Sequence, residues 1–261
     1  MEATLSREAI LSRLRTRFVG QHLELYQETD STNTRAVALA QDGAPEGTTV
    51  VAERQGKGRG RLGRQWFAPE GSSLLMSVIL RPSLVPVQAQ RTTMICSLAA
   101  VEAIGEVSGL TASVKWPNDI MLHGKKLGGL LTELGARGNR LDYVVVGMGL
   151  NVNLNLADLP ALMVPATSLS TEAGHAVSRL ELLLALLQHI EAHYDRMAKG
   201  WSPHDAWRRH LSTIGQHVRA STTKEAIEGL AEDVDEDGAL LVRTGQGRLR
   251  RVVVGDVTLR A

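Results

Sequence analysis

The sequence predicts an α+β chain, with a large unit of mixed strands and helices over 1–213 and a small all-β unit over 214–261. Three observations carry this expectation. Short β-branched or apolar runs such as "TTVVAERQ", "SSLLMSVIL" and "LDYVVVGMGLNVN" have the length and composition of strands. The long helical patterns "AQRTTMICSLAAVEAIGEVSG" and "SRLELLLALLQHIEAHYDRMAKG" fall between groups of strands rather than alternating with them one by one. From about Gly215 the texture changes to short β segments separated by "DEDG" and "TGQG", a pattern that suits a compact barrel.

Taken in order, Ser6 is placed to cap a helix over 7–18, where Leu11, Leu14 and Phe18 make one apolar stripe. In "DSTNTRAVALAQDG" (30–43), Asp, Ser, Thr and Asn crowd before a periodic run that stops at Gly43, so a helix begins there with free amides and hydroxyls at its N-terminus. Strands are expected over 48–55 and 72–80, joined by a glycine-rich loop, and a buried helix over 89–109. "ASVKWPNDIML", "KKLGGLLTEL" and "LDYVVVGMGLNVN" read as three further strands, with "HGK" and "ARGNR" as turns. The stretch 154–174 has two prolines and no sustained periodicity, which marks a functional or mobile loop. Leu183, Leu187, Ile190, Tyr194 and Met197 then share one face of a long helix, and Ser202, Pro203 and Asp205 fit the N-cap, N1 and N3 positions of another. His189 and His193 have i, i+4 spacing but lie off the apolar stripe, so they read as a solvated helix face rather than a metal site. Trp201 and Trp207 are assigned to packing.

Lys+Arg number 29 against 28 Asp+Glu, so no global field draws the protein to nucleic acid or membrane. The lone Cys96, in an apolar run, excludes an internal disulfide framework and suits a reducing compartment. No stretch approaches eighteen uninterrupted apolar residues, and the N-terminus lacks an apolar signal region, so a cytoplasmic protein is expected.

Against that balanced background, "GKGRGRLGR" (56–64) is a local concentration of charge on pliable backbone. Its "GRGRLG" matches the dinucleotide fingerprint literally, but a strand rather than a helix follows, and the Lys-Ser/Thr pair of a phosphate loop is missing. A nucleic-acid grip lacks the aromatic surface that usually accompanies it. A solvated hairpin and an anion clamp remain. In the clamp, glycines let backbone amides approach while arginines pair with carboxylate or phosphate, and ordering the loop costs ~1–2 kcal/mol per fixed residue. A second constellation, "KWPND", sets Lys115, Asn118 and Asp119 around Pro117, either as a strand edge beside a site or as a plain turn. Lys126 precedes Gly128 and Gly129 inside one apolar strand, and Gly147 and Gly149 interrupt the next before Asn151. Glycines there mark close approach of a ligand or another backbone.

In this order, "DSTNTRA", "AERQGKGRGRLGRQW", "KWPNDI", "GKKLGGLLTEL" and "VVGMGLNVN" closely resemble the bacterial biotin protein ligases, from about Asp30 to the C-terminus. The closing "GALL" and "GDVTLR" resemble the small barrel that ends these enzymes, and "PATSL" their segment near the nucleotide. The resemblance implies a mixed β-sheet flanked by helices, of the class II synthetase-like type, with an SH3-like C-terminal β-barrel. It implies a two-step reaction in which biotin and MgATP give biotinyl-AMP and pyrophosphate, after which biotin passes to a lysine of a biotin carboxyl carrier protein or domain. Position by position, Ser31, Thr32, Asn33 and Gln55 fall in the biotin site, with Gly147 and Gly149 leaving backbone room and Gly129 matching the motif. Gly128 stands where a small alanine is common. Arg59, Gly60 and Arg61 belong to the loop that folds over carboxylate and adenylate. Lys126 contacts the biotin carboxylate and the reacting phosphate, so Lys126 and Arg61 are the catalytic candidates. Arg64 lies near phosphate, Trp66 and Asn151 on the adenosine side, and Asn118 and Asp119 near the phosphates, with Asp119 toward Mg2+.

The chemistry asks for these residue types on its own account. A carboxylate attacking phosphorus brings two anions together, which cations and aimed amides permit. The mixed anhydride formed is destroyed by water, so a loop that closes over it is required. Only 29 residues precede Asp30, which leaves no room for the DNA-binding domain of the regulatory members, so no operator binding and no repressor activity is expected. No "AMKM"-like acceptor is present, which makes the carrier a separate partner. Both homodimers and monomers occur in the family. Two rivals stay open: a ligase of the same fold for lipoate or octanoate, and a non-catalytic biotin sensor, for which Lys126 with Asp119 is unnecessary.

Overall fold

The computed structural model describes residues 5–158, 165–222, 225–253 and 255–259. These form α1 (Arg7–Arg13), β1 (Leu23–Thr29), α2 (Thr32–Gln41), β2 (Thr49–Gln55), β3 (Ser73–Leu80), α3 (Gln90–Ser108), β4 (Ser113–Lys115), β5 (Asp119–Leu122), β6 (Lys125–Arg137) and β7 (Arg140–Asn151). Then come α4 (Leu169–Ala173), α5 (Arg179–Ala198), α6 (His204–Arg209), β8 (His217–Ser221), β9 (Ala226–Val234), β10 (Leu240–Arg243), β11 (Leu249–Val252) and β12 (Asp256–Leu259). A seven-stranded sheet runs β1-β2-β3-β7-β6-β5-β4, with β1 parallel to β2 and the other neighbours antiparallel. The C-terminal strands form a five-stranded antiparallel sheet in the order β11-β10-β9-β8-β12.

Strand parity divides the core. Met76, Val78, Val144, Val146 and Met148 join the large cluster shared with α3 and α5, whereas Ile79, Tyr143 and Val145 pack with Ala36 and Ala40 of α2. The opposite faces of β3 and β7 therefore carry different layers, and α2 covers the smaller one. Cys96 is fully buried in α3, where desolvation pushes its thiol up to about 12, so it behaves as a small hydrophobe. No helix among the described residues is long and apolar enough to cross a membrane.

Several elements differ from expectation for identifiable reasons. The first helix stops at Arg13 rather than reaching residue 18. Ser6 caps it as expected, accepting from Ala9 N, but Leu14 turns extended and the amides of Arg17, Phe18 and Val19 are taken by the Glu191 carboxylate of α5. β1 is an unanticipated edge strand, "LELYQET", whose polar residues leave little apolar alternation to read. "ASVKWPNDIML" is two strands rather than one, because Trp116–Asn118 form a turn between β4 and β5 with a cis Trp116–Pro117 bond. Residues 159–164 of the irregular stretch lie outside the described residues, and α4 follows them, capped by Ser168. The last helix starts one residue late, with Pro203 in the cap position.

His193 is not solvated. It is 5% exposed, stacks on Trp201 with ring centroids 5.6 Å apart, and shares the Glu102 carboxylate of α3 with His189, at 2.8 and 3.2 Å. Hydrogen bonds from the two imidazoles hold Glu102 down at about 2, and Glu102 in turn raises His189 above 6.5. A depressed carboxylate stabilises above its unfolded value of 4.5, and a raised imidazole stabilises below 6.5. The Tm advantage of the natural chain over Glu102→Gln is therefore expected to peak between those values and to shrink as pH falls toward 2 or rises through the folded His189 value. A Tm difference that is flat with pH would contradict this coupling.

Candidate functional site

The site grows from the α2 face of the sheet. Gly147 and Gly149 have the parity of Val145, so both face the α2 layer, where Gly147 pairs with Ser77 and Leu131, and Gly149 with Leu75 and Gly129. The N-terminus of α2 lies over this patch. A Cβ at Gly147 would fall 1.8 Å from Asn33 Oδ1, and one at Gly149 would fall 2.6 Å from Trp66 Cε2. The glycine gaps thus admit two of the protein's own side chains, a more specific role than room for a ligand. Gly128 is constrained too, since its Cβ would lie 2.5 Å from Gly149 O.

Asn33 is pinned on every side. Ser77 Oγ lies 2.7 Å from Asn33 Oδ1 and 2.8 Å from Thr32 Oγ1, so its single proton serves one of the two. Asn33 Nδ2 donates to Leu131 O and to Glu133 Oε2, both at 3.0 Å. Gln55, at the end of β2, accepts from the Thr32 amide at 2.8 Å and from its hydroxyl at 3.1 Å. Ser31, Thr32 and Asn33 are all buried. The result is a buried, polar pocket end whose side chains are held in place by hydrogen bonds. Gly147→Ala is expected to displace Asn33 and leave buried polar groups unpaired, at a cost of about 1–3 kcal/mol. Affinity for a ligand held there then falls about five- to a hundredfold, on the scale of about 1.4 kcal/mol per tenfold. Titrating biotin, the ligand that the sequence resemblance implies, against both proteins checks this.

The glycine-rich loop is a small ribbon. Trp66 N donates to Gly58 O at 2.9 Å, Gly60 N to Arg64 O at 2.7 Å, and Arg59 bridges Gln65. A Cβ at Gly58 would meet Trp66 O at 2.3 Å, so the closure requires glycine. Leu62 at the tip has φ 55 and is 61% exposed. All three loop arginines hold protein acceptors. Arg59 pairs with Glu133 at 2.9 Å. Arg61 reaches Asn118 Oδ1 at 3.3 Å, Gly255 O at 3.1 Å and Asp256 at 3.6 Å, while Arg64 also pairs with Asp256. Sequence alone assigned these cations to a ligand and missed both carboxylates.

The opposite wall is cationic. Lys126 Nζ donates to Asp119 Oδ1 at 2.7 Å and lies 6.0 Å from the Trp66 ring centroid. Burial lowers Arg61 and Lys115 from their ordinary values, opposed in Arg61 by Asp256 and Asp119, and in Lys115 by Asp119. Asn118 donates to Leu130 O, and Asn151 Nδ2 to Thr167 O at 3.0 Å. A cleft of about 860 Å3 unites the two walls, and every ligand contact named from the sequence lines it: Ser31, Thr32, Asn33, Gln55, Arg59, Gly60, Arg61, Arg64, Trp66, Asn118, Asp119, Lys126, Gly129, Gly147, Gly149 and Asn151. Asp256, from β12, lines it as well. Ser77 and Glu133 support it from behind. Asp256 lies 192 positions from Arg64, and no local pattern in "GDVTL" announces the partnership.

Comparison with known proteins bears on this geometry. Residues 25–151 match the biotin/lipoate A/B protein ligase family, and residues 213–260 match the biotin protein ligase C terminal domain. The bifunctional ligase/repressor BirA of Bacillus subtilis is 38% identical over 258 residues, covering 98% of this chain and 79% of the relative. The biotin–[acetyl-CoA-carboxylase] ligase of Paracoccus denitrificans is 34% identical, covering 84% and 93%. Among solved structures, the biotin protein ligase of Aquifex aeolicus in complex with biotin and ATP superposes with a TM-score of 0.78 at 30% identity, covering 92% of this chain and 99% of that one. A mixed sheet with one reading end and one cationic end, ordered sequence motifs along it, and end-to-end similarity of this extent agree, and the chain belongs to the biotin protein ligase family.

Proposed function

We propose that this protein is an ATP-dependent biotin–[biotin carboxyl carrier protein] ligase. The observation that carries the reading is the joining, in one cleft, of a fixed neutral hydrogen-bonding end around Asn33 and Gln55 to a cationic end around Lys126 and Arg61. A ureido group suits the first end, because it both donates and accepts, and a ligand lacking it leaves buried groups unpaired. Carboxylate and phosphate suit the second.

In the first step a biotin carboxylate oxygen attacks the α-phosphorus of ATP, a C–O–P linkage forms, and the bond to the β-phosphate oxygen breaks to release pyrophosphate. Lys126 and Arg61 screen the approach of the two anions and the charge that develops. Trp66 and Asn151 border the adenosine, and Arg64 and Asn118 the phosphates. Asp119 is the residue suited to hold Mg2+, since that ion takes one or two carboxylates together with phosphate oxygens. Among the described residues Asp119 pairs with Lys126 alone, whereas the other carboxylate lining the cleft, Asp256, serves two arginines. Bound there, the ion neutralises phosphate charge. In the second step the amine of a carrier lysine attacks the acyl carbon, loses a proton, and expels AMP as the amide forms.

The two units divide the work: 1–213 holds the substrates, and 214–261 forms the SH3-like unit whose Asp256 fastens the loop. Exchange of labelled pyrophosphate into ATP by the purified protein, with biotin, lipoate or octanoate as the acid and with or without Mg2+, tests the proposal. Biotin-dependent exchange is expected. Exchange with lipoate would overturn the pocket assignment, and tight biotin binding without exchange would make the protein a sensor.

A further inference from the structure

Glu172 does not line the cleft, yet it collects three donors from two segments of the chain. Its carboxylate accepts from Thr167 Oγ1 at 2.5 Å and meets His123 Nδ1 at 2.7 Å and Lys125 Nζ at 3.2 Å. For an acid on a five-residue helix it is well covered, with 12% of the side chain exposed, and the Thr167 hydroxyl followed by His123 holds it down at about 2. His123 and Lys125 belong to the β5–β6 turn and the first residue of β6. Thr167 belongs to a strap, residues 165–168, that runs beside Lys126.

That strap holds Lys126 by both its backbone amide and its carbonyl, as a parallel bridge centred on Ala166. Lys126 N donates to Pro165 O and Thr167 N donates to Lys126 O, each at 2.9 Å. The same Thr167 presents its carbonyl to Asn151 Nδ2 at 3.0 Å, and both residues are buried. One carboxylate thus ties the strap to the turn from which β6 starts, and the strap sets the backbone of Lys126 and the amide orientation of Asn151.

We infer that Glu172 is a positioning residue for the nucleotide half of the cleft, acting through Thr167 on Lys126 and Asn151. This rests on the ligase reading above. It separates the two halves of the site: among the described residues the Asn33–Gln55 end makes no hydrogen bond to the strap, so a fault at Glu172 falls chiefly on ATP use and reaches biotin only through the carboxylate that Lys126 meets. Gln in its place still accepts from Thr167 but loses the charge that holds His123 and Lys125, whereas Ala loses both.

The test measures ATP kcat/KM in biotin-dependent pyrophosphate exchange, together with biotin Kd by direct titration, for the full chain and for Glu172→Ala, Glu172→Gln and Thr167→Val. For Glu172→Ala, kcat/KM for ATP is expected to fall roughly tenfold, the scale of coupling between contacting residues. Biotin Kd is expected to weaken by a clearly smaller factor than ATP kcat/KM, Glu172→Gln to recover much of the loss, and Thr167→Val combined with Glu172→Ala to be no worse than the more damaging single change. If Glu172→Ala does not fold, Thr167→Val carries the same expectation. Unchanged ATP kinetics, or biotin Kd weakening by the same factor as ATP, overturns the inference while leaving the ligase reading intact. Absence of biotin-dependent exchange in the unaltered chain overturns the ligase reading and this inference with it.

Discussion

Lys126→Ala is expected to abolish biotinyl-AMP formation, with pyrophosphate exchange falling on the order of 10²–10³-fold, the scale for loss of one preorganised group aimed at developing charge. Lys126 sits where β6 turns its first residues into the cleft, held by Asp119 at 2.7 Å and fixed through its own backbone by the strap. Removing it leaves two substrate anions facing each other with one near cation fewer and frees Asp119 to repel them. Biotin itself is read at the other end, so its binding is expected to weaken less than the rate. Single-turnover formation of labelled biotinyl-AMP gives the answer, and an undiminished rate removes Lys126 from the chemistry.

Arg61→Gly is expected to act on retention rather than formation. Arg61 is the best connected of the loop cations, reaching Asn118 on one side and Gly255 and Asp256 on the other, so its loss unfastens the ribbon over the cleft at two points. Biotinyl-AMP should then escape and acylate exposed lysines at large instead of one carrier lysine. Incubating the variant with ATP, labelled biotin and an unrelated protein checks this directly. Labelling of the bystander at the level of the unaltered enzyme would refute the loop as a barrier. Asp256→Asn is expected to leak in the same direction but less, because Arg61 keeps Asn118 and the Gly255 carbonyl.

The residues that line the cleft were legible in the sequence from local glycine and charge signals together with the ordered motifs. Gly147 and Gly149 interrupt an apolar strand at two-residue spacing, which fixes both on one face, and the crowd of arginines in a balanced chain has no packing explanation. What those residues hold on to was not legible. Glu133, Ser77 and Asp256 lie inside "KKLGGLLTEL", "SSLLMSVIL" and "GDVTLR", where nothing local sets them apart. Each acquires its role only when elements distant in sequence meet: Arg59 and Glu133 are 74 positions apart, and Arg61 and Gly255 are 194. The same physics shortened α1, since its continuing amides found a better acceptor in Glu191, 173 positions from Phe18. His193 was misread because one apolar stripe was taken as the whole buried surface of α5, whereas Glu102 and Trp201 let a second, polar face go inside.

The pairing of Arg61 and Arg64 with Asp256 has a consequence for the order in which the molecule comes into being. The ribbon that covers the cleft is made early in synthesis, and the carboxylate that fastens it emerges nearly two hundred residues later. A growing chain that has already folded its main sheet holds the pocket and the cations without the catch. If the ribbon is the barrier that Arg61→Gly tests, a chain lacking its last β-unit would hold the pocket without the catch, and docking of that unit would be what guards against indiscriminate acylation.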